Sequence, residues 1–211
     1  DYEDESYECS GDGAGIYGIN HVNAYTWNPN TNLVAVCDLN KEITDKIAKQ
    51  YEVKTYNDVN EMLDKEDIDA VSIATPDAFH MEPALAAIRH GKPILVEKPL
   101  ATTSEDAKKI LAEAEKYKVR VAVDYHKRWD PAAINVRNEL QKAETGAPVR
   151  GYMNMDDIID VPTEWFGWAD KSSPVHFLGT HCYDQIRWYM DVKWKKYLRW
   201  GRKKGLKIKR N

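Results

Sequence analysis

Residues 70–100, AVSIATPDAFHMEPALAAIRHGKPILVEKPL, decide how this chain folds. The run at 70–74 is short and apolar, which is typical of a strand buried on both faces. Pro76 ends it, because proline cannot donate to a strand ladder. Residues 80–89 carry apolar side chains at helical spacing, and Gly91 stands where a C-terminal cap belongs. Residues 94–96 form a second buried strand, so the stretch predicts a strand–helix–strand unit.

Lys98 comes directly after that second strand, between Glu97 and Pro99. In an open α/β sheet, ligands bind at the edge where the carboxyl ends of the parallel strands meet. Lys98 is therefore expected at the ligand-binding edge, and it is the first candidate for a chemical role.

The composition is that of an ordinary globular protein, with 43% hydrophobic and 30% charged residues among 211. The three cysteines lack the spacing of a metal site, so we expect reduced thiols, a cytoplasmic location and no metal. No apolar run approaches the roughly 18 residues of a membrane helix, and the first thirty residues show no signal peptide. Ten of the 30 Lys and Arg residues lie in 193–211, which holds no acid, leaving 20 bases against 34 acids elsewhere.

A glycine-rich turn lies near the start of the chain, where Gly13, Gly15 and Gly18 fit G-x-G-x-x-G. In dinucleotide-binding folds the first glycine permits a tight turn and the second lets the backbone approach a pyrophosphate. The third lets a helix pack closely, and a helix starting near Ile16 would point its positive end at the phosphates. The preceding segment, residues 6–10, is unusually polar for a first strand.

Asp38 strengthens the cofactor interpretation. It follows the apolar strand 33–37 and stands twenty residues after Gly18, where an acid binds the adenosine ribose hydroxyls. A carboxylate there would repel a 2′-phosphate and no arginine follows directly, so NAD is favoured over NADP. The alternative is that Asp38 only precedes the next helix as an N-terminal residue.

Strands and helices continue to alternate up to Asp124. The pattern predicts helices at 42–50, at 57–64 with Asn57 or Asp58 as cap, and at 104–117, and strands at 53–56 and 119–123. Repeated units of this length imply an α/β fold with a doubly wound parallel sheet. Residues 1–124 are therefore expected to form a Rossmann domain.

The pattern changes after Asp124, and residues 125–211 are expected to belong to a second, incomplete α/β domain with an open sheet. Asp130 and Pro131 are typical of a helix start, and this helix should run to about Glu144. Further on, we expect a half-exposed strand at 149–155, a loop rich in acids and aromatics at 156–174, a helix at 175–190, and one or two strands at 193–210.

Four motifs in this order resemble the Gfo/Idh/MocA oxidoreductase family: the glycine turn, T-P-D-x-x-H at 75–80, E-K-P at 97–99 and G-T-H-C-Y-D at 179–184. The resemblance covers residues 11–204 and implies an NAD(P)-binding Rossmann domain followed by an α/β domain. It implies oxidation or reduction of a sugar or polyol carbon, and association through the open sheet. It also implies a longer second domain than these 211 residues contain.

The resemblance assigns roles to individual residues. Lys98 would be the catalytic lysine, with His181 matching the histidine of the family's D-x-G-x-H helix. The cofactor-binding residues would be Gly13, Gly15, Ile16, Gly18, Asp38, Thr75, Pro76, His80, Glu97 and Lys98. The family acid four residues before the histidine is replaced by Phe177.

Oxidation of a carbinol carbon needs a base for the hydroxyl proton, and Lys98 and His181 are the candidates. An unperturbed lysine has a pKa of about 10.4, so neutralising it at pH 7 costs about 4.6 kcal/mol. The site must lower that pKa, and Phe177 removes a carboxylate that would hold the charged lysine. Alternatively His181 takes the proton while Lys98 polarises the oxygen.

The remaining candidates are weighed against structural roles. Substrate contacts are expected from Lys98, His181, His126, Arg128 and Trp165, although Trp165 could equally be buried against the sheet and His126 and Arg128 could merely cover the domain boundary. We expect a sugar or polyol dehydrogenase. The alternative is a non-catalytic dinucleotide-binding protein, which is favoured by Phe177, by the polar first strand and by the missing C-terminal half of the second domain. Nucleic-acid binding by 193–210 is a weaker alternative, since this segment matches a sheet strand of the family.

Overall fold

A computed structural model describes residues 7–15, 17–142, 144, 146 and 148–190 of the protein. The strands within these residues are β1 (Tyr7–Asp12), β2 (Thr31–Cys37), β3 (Lys54–Tyr56), β4 (Ala70–Ile73), β5 (Ile94–Glu97) and β6 (Val121–Asp124). The α-helices are α1 (Gly18–Trp27), α2 (Lys41–Tyr51), α3 (Val59–Lys65), α4 (Met81–Arg89), α5 (Ser104–Tyr117), α6 (Pro131–Leu140) and α7 (Thr180–Met190).

The six strands form one parallel sheet in the order β3-β2-β1-β4-β5-β6. The direction of winding reverses between β1 and β4, and a crevice for ligands opens outside the carboxyl ends of the strands at such a point. The predicted doubly wound α/β fold is thus confirmed. The loops after β1, β2, β4 and β5 all reach this edge.

The strand–helix–strand unit at 70–100 forms as predicted, as β4, α4 and β5. Gly91, at φ 73°, ends α4 in the left-handed conformation. The amide of the following Lys92 donates to the carbonyl oxygen of Ala87 at 3.0 Å, which satisfies a carbonyl at the helix end. The left-handed Gly91 and the Lys92 hydrogen bond therefore fix where α4 ends, and so where β5 and Lys98 follow it.

Helices α3 and α6 begin where polar caps were predicted. The Asp58 side chain accepts from two amides at the start of α3, and Asp130 accepts from Ala132 at the start of α6. The cap of α2 is Asn40, so Asp38 is not its cap. Helix α6 ends at Leu140, earlier than the predicted Glu144.

The main core lies between the sheet and the helices α3, α4 and α5. Val71, Ile73 and Val96 of the central strands are at most 1% exposed, and Ile88 and Ile110 of the covering helices are 0% exposed. Each such side chain contributes about 1.5–3 kcal/mol to folding by leaving water. This core makes β4 and β5 a rigid base for the residues that follow them.

Two expectations about strands need correction. Strand β1 forms in the centre of the sheet despite its polar sequence, because it pairs with β2 on one side and β4 on the other. The predicted strand at 149–155 is wrong, since these residues have no regular structure and Val149 and Tyr152 are 98% and 87% exposed. Alternation alone does not make a strand, which needs a neighbouring strand to pair with.

The segment 193–210, for which strands were predicted, lies outside the described residues. Within the part of the chain that is described, none of the helices has the length and hydropathy needed to cross a bilayer.

Candidate active site

The glycine turn after β1 is packed so tightly that two of its positions exclude a side chain. Gly13 has φ +82°, and a Cβ on it would lie 2.5 Å from the backbone nitrogen of Thr75. A Cβ on Gly18 would lie 1.7 Å from the carbonyl oxygen of Gly13. The turn is therefore fixed against β4 on one side and against the start of α1 on the other.

Asp38 lies beside this turn at the carboxyl end of β2. Its Oδ2 accepts from the amide of Ala14 at 2.9 Å, and its Oδ1 accepts from the amide of Asn40 at 2.8 Å. A carboxylate has about four lone-pair positions, so two remain for a ligand. The alternative of a simple helix-starting residue does not account for its contact with the glycine turn.

Two adjoining cavities follow the carboxyl edge of the sheet. A cavity of about 710 Å³ lies between the loops after β2 and β4 and the start of α4, and one of about 300 Å³ lies over the glycine turn and Lys98. Gly13, Asp38, Thr75 and Pro76 line both. These residues join the cavities into one elongated site.

The residues present fit a dinucleotide. A Cβ on Gly15 would meet no heavy atom of the described, non-adjacent residues within 4 Å, so the backbone there faces open space as a pyrophosphate contact requires. The hydroxyl oxygen of Thr75 is buried and has no hydrogen-bond partner within the described residues. Ile16, a predicted cofactor residue, lies outside the described residues, and α1 begins at Gly18.

Lys98 lines the smaller cavity at the end of β5 and is only 4% exposed. Its Nζ donates to the carbonyl oxygen of Phe177 at 3.0 Å and lies 4.1 Å from the centre of the Phe177 ring. Burial lowers the pKa of Lys98, against the opposing charges of Asp77 and Glu97. The direction is the one that a lysine acting as a base requires.

Glu97 also lines the smaller cavity, and its carboxylate is bound to other groups of the protein. Its Oε1 lies 3.2 Å from Nε2 of His21, and its Oε2 accepts from the amide of Lys98 at 3.2 Å. Burial alone would raise the pKa of Glu97, but the His21 hydrogen bond and nearby positive charges outweigh it, so the pKa is lowered. Glu97 thus fixes the Lys98 turn.

His21, Glu97 and Asp124 form a partly buried polar cluster. Nε2 of His21 lies 3.9 Å from Oδ2 of Asp124, and its Nδ1 lies 3.2 Å from the Ser72 hydroxyl. Burial and the charge of Glu97 raise the pKa of Asp124. The three ligand atoms lie within 4.8 Å of one another, close enough to hold a cation, but hydrogen bonding already accounts for the arrangement.

His181 is 4% exposed, on α7, and lines neither cavity. Its ring packs edge-on against that of His126 at 4.7 Å, and its Nδ1 has no hydrogen-bond partner within the described residues. Burial, with the charges of Lys98 and His126, lowers the pKa of His181 to about 3. At neutral pH its imidazole is therefore uncharged and a weaker base than the sequence suggested.

The polar groups of His80 and Arg128 bond to other groups of the protein. The ring nitrogens of His80 lie 2.7 Å from the carbonyl oxygen of Pro99 and 2.8 Å from that of Thr75. His80 therefore connects the loop after β4 to the turn after Lys98. Arg128 forms a two-bond ion pair with Asp184 of α7, with Nε 2.6 Å from Oδ2.

An aromatic wall, formed by Tyr17, Trp165, Phe166, Trp168 and Phe177, closes the smaller cavity. The rings of Phe166 and Trp168 are stacked at 4.7 Å, and Phe166 and Phe177 meet edge-on at 5.2 Å. Trp165 is 56% exposed, so it is not buried against the sheet. One side of the space beside Lys98 is thus apolar.

The structure therefore brings together eight of the predicted residues along the two cavities: Gly13, Gly15, Asp38, Thr75, Pro76, Glu97, Lys98 and Trp165. It does not bring His80, His126, Arg128 or His181 to the lining. Sequence reasoning missed His21, although its position three residues after Gly18 places it one helical turn along α1. It also missed Asp77, which is buried, lines the smaller cavity and bonds to Ser172.

Comparison with known proteins now adds to this geometry. Residues 13–125 match the model of the Gfo/Idh/MocA family, an oxidoreductase family with an NAD-binding Rossmann fold. The inositol 2-dehydrogenase of Rubrobacter xylanophilus is 29% identical over 180 residues, covering 84% of this chain and 50% of that protein. The NAD(+)-dependent scyllo-inositol 2-dehydrogenase of Bacillus subtilis is 32% identical over 143 residues, covering 67% of this chain and 42% of that protein.

A solved structure shows the same fold. The scyllo-inositol dehydrogenase of Lactobacillus casei, with bound NAD(H) and scyllo-inositol, matches with a TM-score of 0.78 at 20% identity, over 89% of this chain and 57% of that chain. The present chain spans about half the length of the curated relatives it matches.

Proposed function

The chain belongs to the Gfo/Idh/MocA oxidoreductase family, and from that premise we propose that it is an NAD-dependent dehydrogenase acting on a carbinol carbon of a sugar or cyclic polyol. The observation that carries the proposal is the place of Lys98. Its amino group lies on the wall of the cavity that the glycine turn also lines, at the carboxyl end of β5. A cofactor site and a candidate base thus share one space.

NAD would be held by groups already in position. The amides of the glycine turn would face the pyrophosphate, and Asp38 would accept hydrogen bonds from the adenosine ribose. Arg89 lines the larger cavity, but its Nε donates to Glu113 at 2.9 Å, so that guanidinium already has an anionic partner. The charge of Asp38 favours NAD over NADP. When bound, oxidised nicotinamide supplies a hydride acceptor.

The residues around Lys98 would handle the proton of the substrate hydroxyl. Burial favours the uncharged amine, which accepts the proton as the carbon loses its hydride. Trp165 and its neighbours in the aromatic wall offer flat apolar faces for the C–H surface of a ring. His181 would remain an uncharged imidazole outside the cavity lining and would not act as the base.

A non-catalytic dinucleotide-binding protein is the second candidate. It is favoured by the Phe177 ring over the Lys98 amino group and by the place of His181 outside the cavity lining. The two candidates differ in turnover. We expect the protein to bind NAD and to reduce it when myo-inositol, scyllo-inositol or another cyclic polyol is added, as followed by absorbance. Binding of NAD without reduction by any polyol or sugar would favour the second candidate.

Three further expectations belong with this proposal. Residues 1–124 would form the cofactor domain, and 125–211 would form part of the substrate domain. The protein would work in the cytoplasm, and copies would associate through the open sheet of the second domain. Size-exclusion chromatography with light scattering would measure the association directly.

A further inference from the structure

We propose that Phe177 is a positioning residue for Lys98, holding the amino group at the cavity wall with its carbonyl oxygen and its ring instead of with a carboxylate. The Lys98 Nζ lies 3.0 Å from the Phe177 carbonyl oxygen and 4.1 Å from the ring centre. One residue therefore meets the amino group from two directions. The inference deepens the proposed function and depends on it only where turnover is measured.

The rest of Lys98 is held independently of Phe177. The Lys98 amide donates to Oε2 of Glu97, and His80 contacts the carbonyl oxygen of Pro99 at 2.7 Å. These contacts fix the backbone on either side of the lysine. Phe177 is thus left to orient the far end of the side chain, where the chemistry takes place.

The partner set is unusual for a buried lysine. None of the ion pairs within 4.0 Å in the described part of the chain involves Lys98. A neutral ring and carbonyl favour a nearby cation far less than a carboxylate does, so burial decides the balance. Phe177 therefore keeps the amino group oriented without forcing it to stay charged.

Charged and titratable groups surround Lys98 on several elements. Asp77, after β4, and Glu97, in β5, favour the charged amine, although burial outweighs both. His181 of α7 interacts with the Lys98 charge, and Tyr17 of the glycine turn lines the same cavity. The Phe177 ring also packs edge-on against that of Tyr17 at 6.4 Å, so two variants that both lack the ring and differ only in charge are compared with each other.

The test compares two variants of equal size, Phe177→Glu and Phe177→Gln, with the unaltered 211-residue protein. Lysine labelled with ¹³C and ¹⁵N reports its protonation by NMR, and Lys98→Arg identifies the Lys98 signal by its loss. An opposite charge at this distance moves a pKa by about one to three pH units. We expect the Lys98 midpoint of Phe177→Glu to lie that far above that of Phe177→Gln.

Turnover gives a second readout. Because the uncharged amine is the active form, the rising limb of kcat should move to higher pH in Phe177→Glu, with activity recovering at high pH. A merely structural effect would lower kcat at every pH. Separate NMR midpoints without polyol oxidation in any variant would support the role of Phe177 and overturn the proposed function. Equal Lys98 midpoints in the two variants, or in the shorter pair Phe177→Asp and Phe177→Asn if the first pair does not fold, would overturn the inference.

Discussion

Replacing Gly15 with alanine should weaken NAD binding without weakening the fold. Within the described part of the chain, a Cβ at this position meets no heavy atom of a non-adjacent residue within 4 Å, and the backbone needs no left-handed angle. The folded chain should therefore accept the methyl group, and the lower entropy of the unfolded chain could stabilise it by about 0.4–1 kcal/mol. The open space is, however, where a pyrophosphate would approach the backbone.

The size of the binding loss follows from that geometry. Forcing a methyl group into a close contact costs about 1–3 kcal/mol, which is roughly a 5- to 150-fold increase in Kd. Gly18→Ala, by contrast, should weaken the fold itself. Its Cβ would lie 1.7 Å from the Gly13 carbonyl oxygen, so α1 must move and stability should fall by about 3 kcal/mol or more.

Calorimetric titration with NAD and urea unfolding measure the two effects separately. Gly151→Ala is the control, because its Cβ would make an ordinary contact of 3.8 Å with Met190 and Gly151 lines neither cavity. An unchanged Kd for Gly15→Ala would show that the glycine turn does not face the pyrophosphate.

Three other substitutions test the roles of Asp38, Arg128 and Glu97. Asp38→Asn should raise the Kd for NAD about tenfold and reduce the preference for NAD over NADP, because a charged acceptor is lost. An unchanged ratio of the two Kd values would show that Asp38 does not bind the cofactor. Arg128→Ala should cost about 2–3 kcal/mol in urea unfolding, since Asp184 is left buried while Arg128 is itself 35% exposed; a loss below about 0.5 kcal/mol would contradict this. The hydrogen bond with His21 lowers the pKa of Glu97 in the folded protein from its usual 4.5, despite burial. The stabilisation that ionised Glu97 gives the folded state is therefore complete above about pH 4.5 and is lost as the pH falls through the lower pKa of the folded state. Glu97→Gln should therefore flatten the acid side of the stability curve, and an unchanged slope would be evidence against the coupling.

Much of the fold could be predicted because local signals agree with the tertiary structure. The helix Ser104–Tyr117 has the bounds predicted, since Thr103 caps its start and Lys118 leaves it in a left-handed conformation. The strands beside Lys98 were recognisable as short apolar runs bounded by proline and glycine. The segment 149–155 misled because its alternation has no neighbouring strand to pair with among the residues that the structure describes.

Only those residues of the candidate site that follow directly after a strand could be predicted from the sequence. The glycine turn, Asp38 and Lys98 each follow a strand, and the sheet brings all such positions to one edge. The contacts of Arg128 with Asp184 and of Lys98 with Phe177 join residues 56 and 79 positions apart. No local pattern reports contacts between residues so far apart in sequence, so the Asp184 partner of Arg128 and the Phe177 partner of Lys98 could not be predicted from the sequence.

The substitution Lys98→Ala tests whether Lys98 carries proton transfer in a polyol dehydrogenase. Turnover of an active polyol should fall by about two to four orders of magnitude, the usual effect of losing a general acid or base. The Kd for NAD should change little, because Gly15 and Asp38 remain. Lys116→Ala, which removes an amino group 4.8 Å from the Tyr117 ring at the end of α5, serves as the control and should keep full turnover, because Lys116 lines neither cavity. Full activity of Lys98→Ala on a substrate that the unaltered protein oxidises would contradict the account.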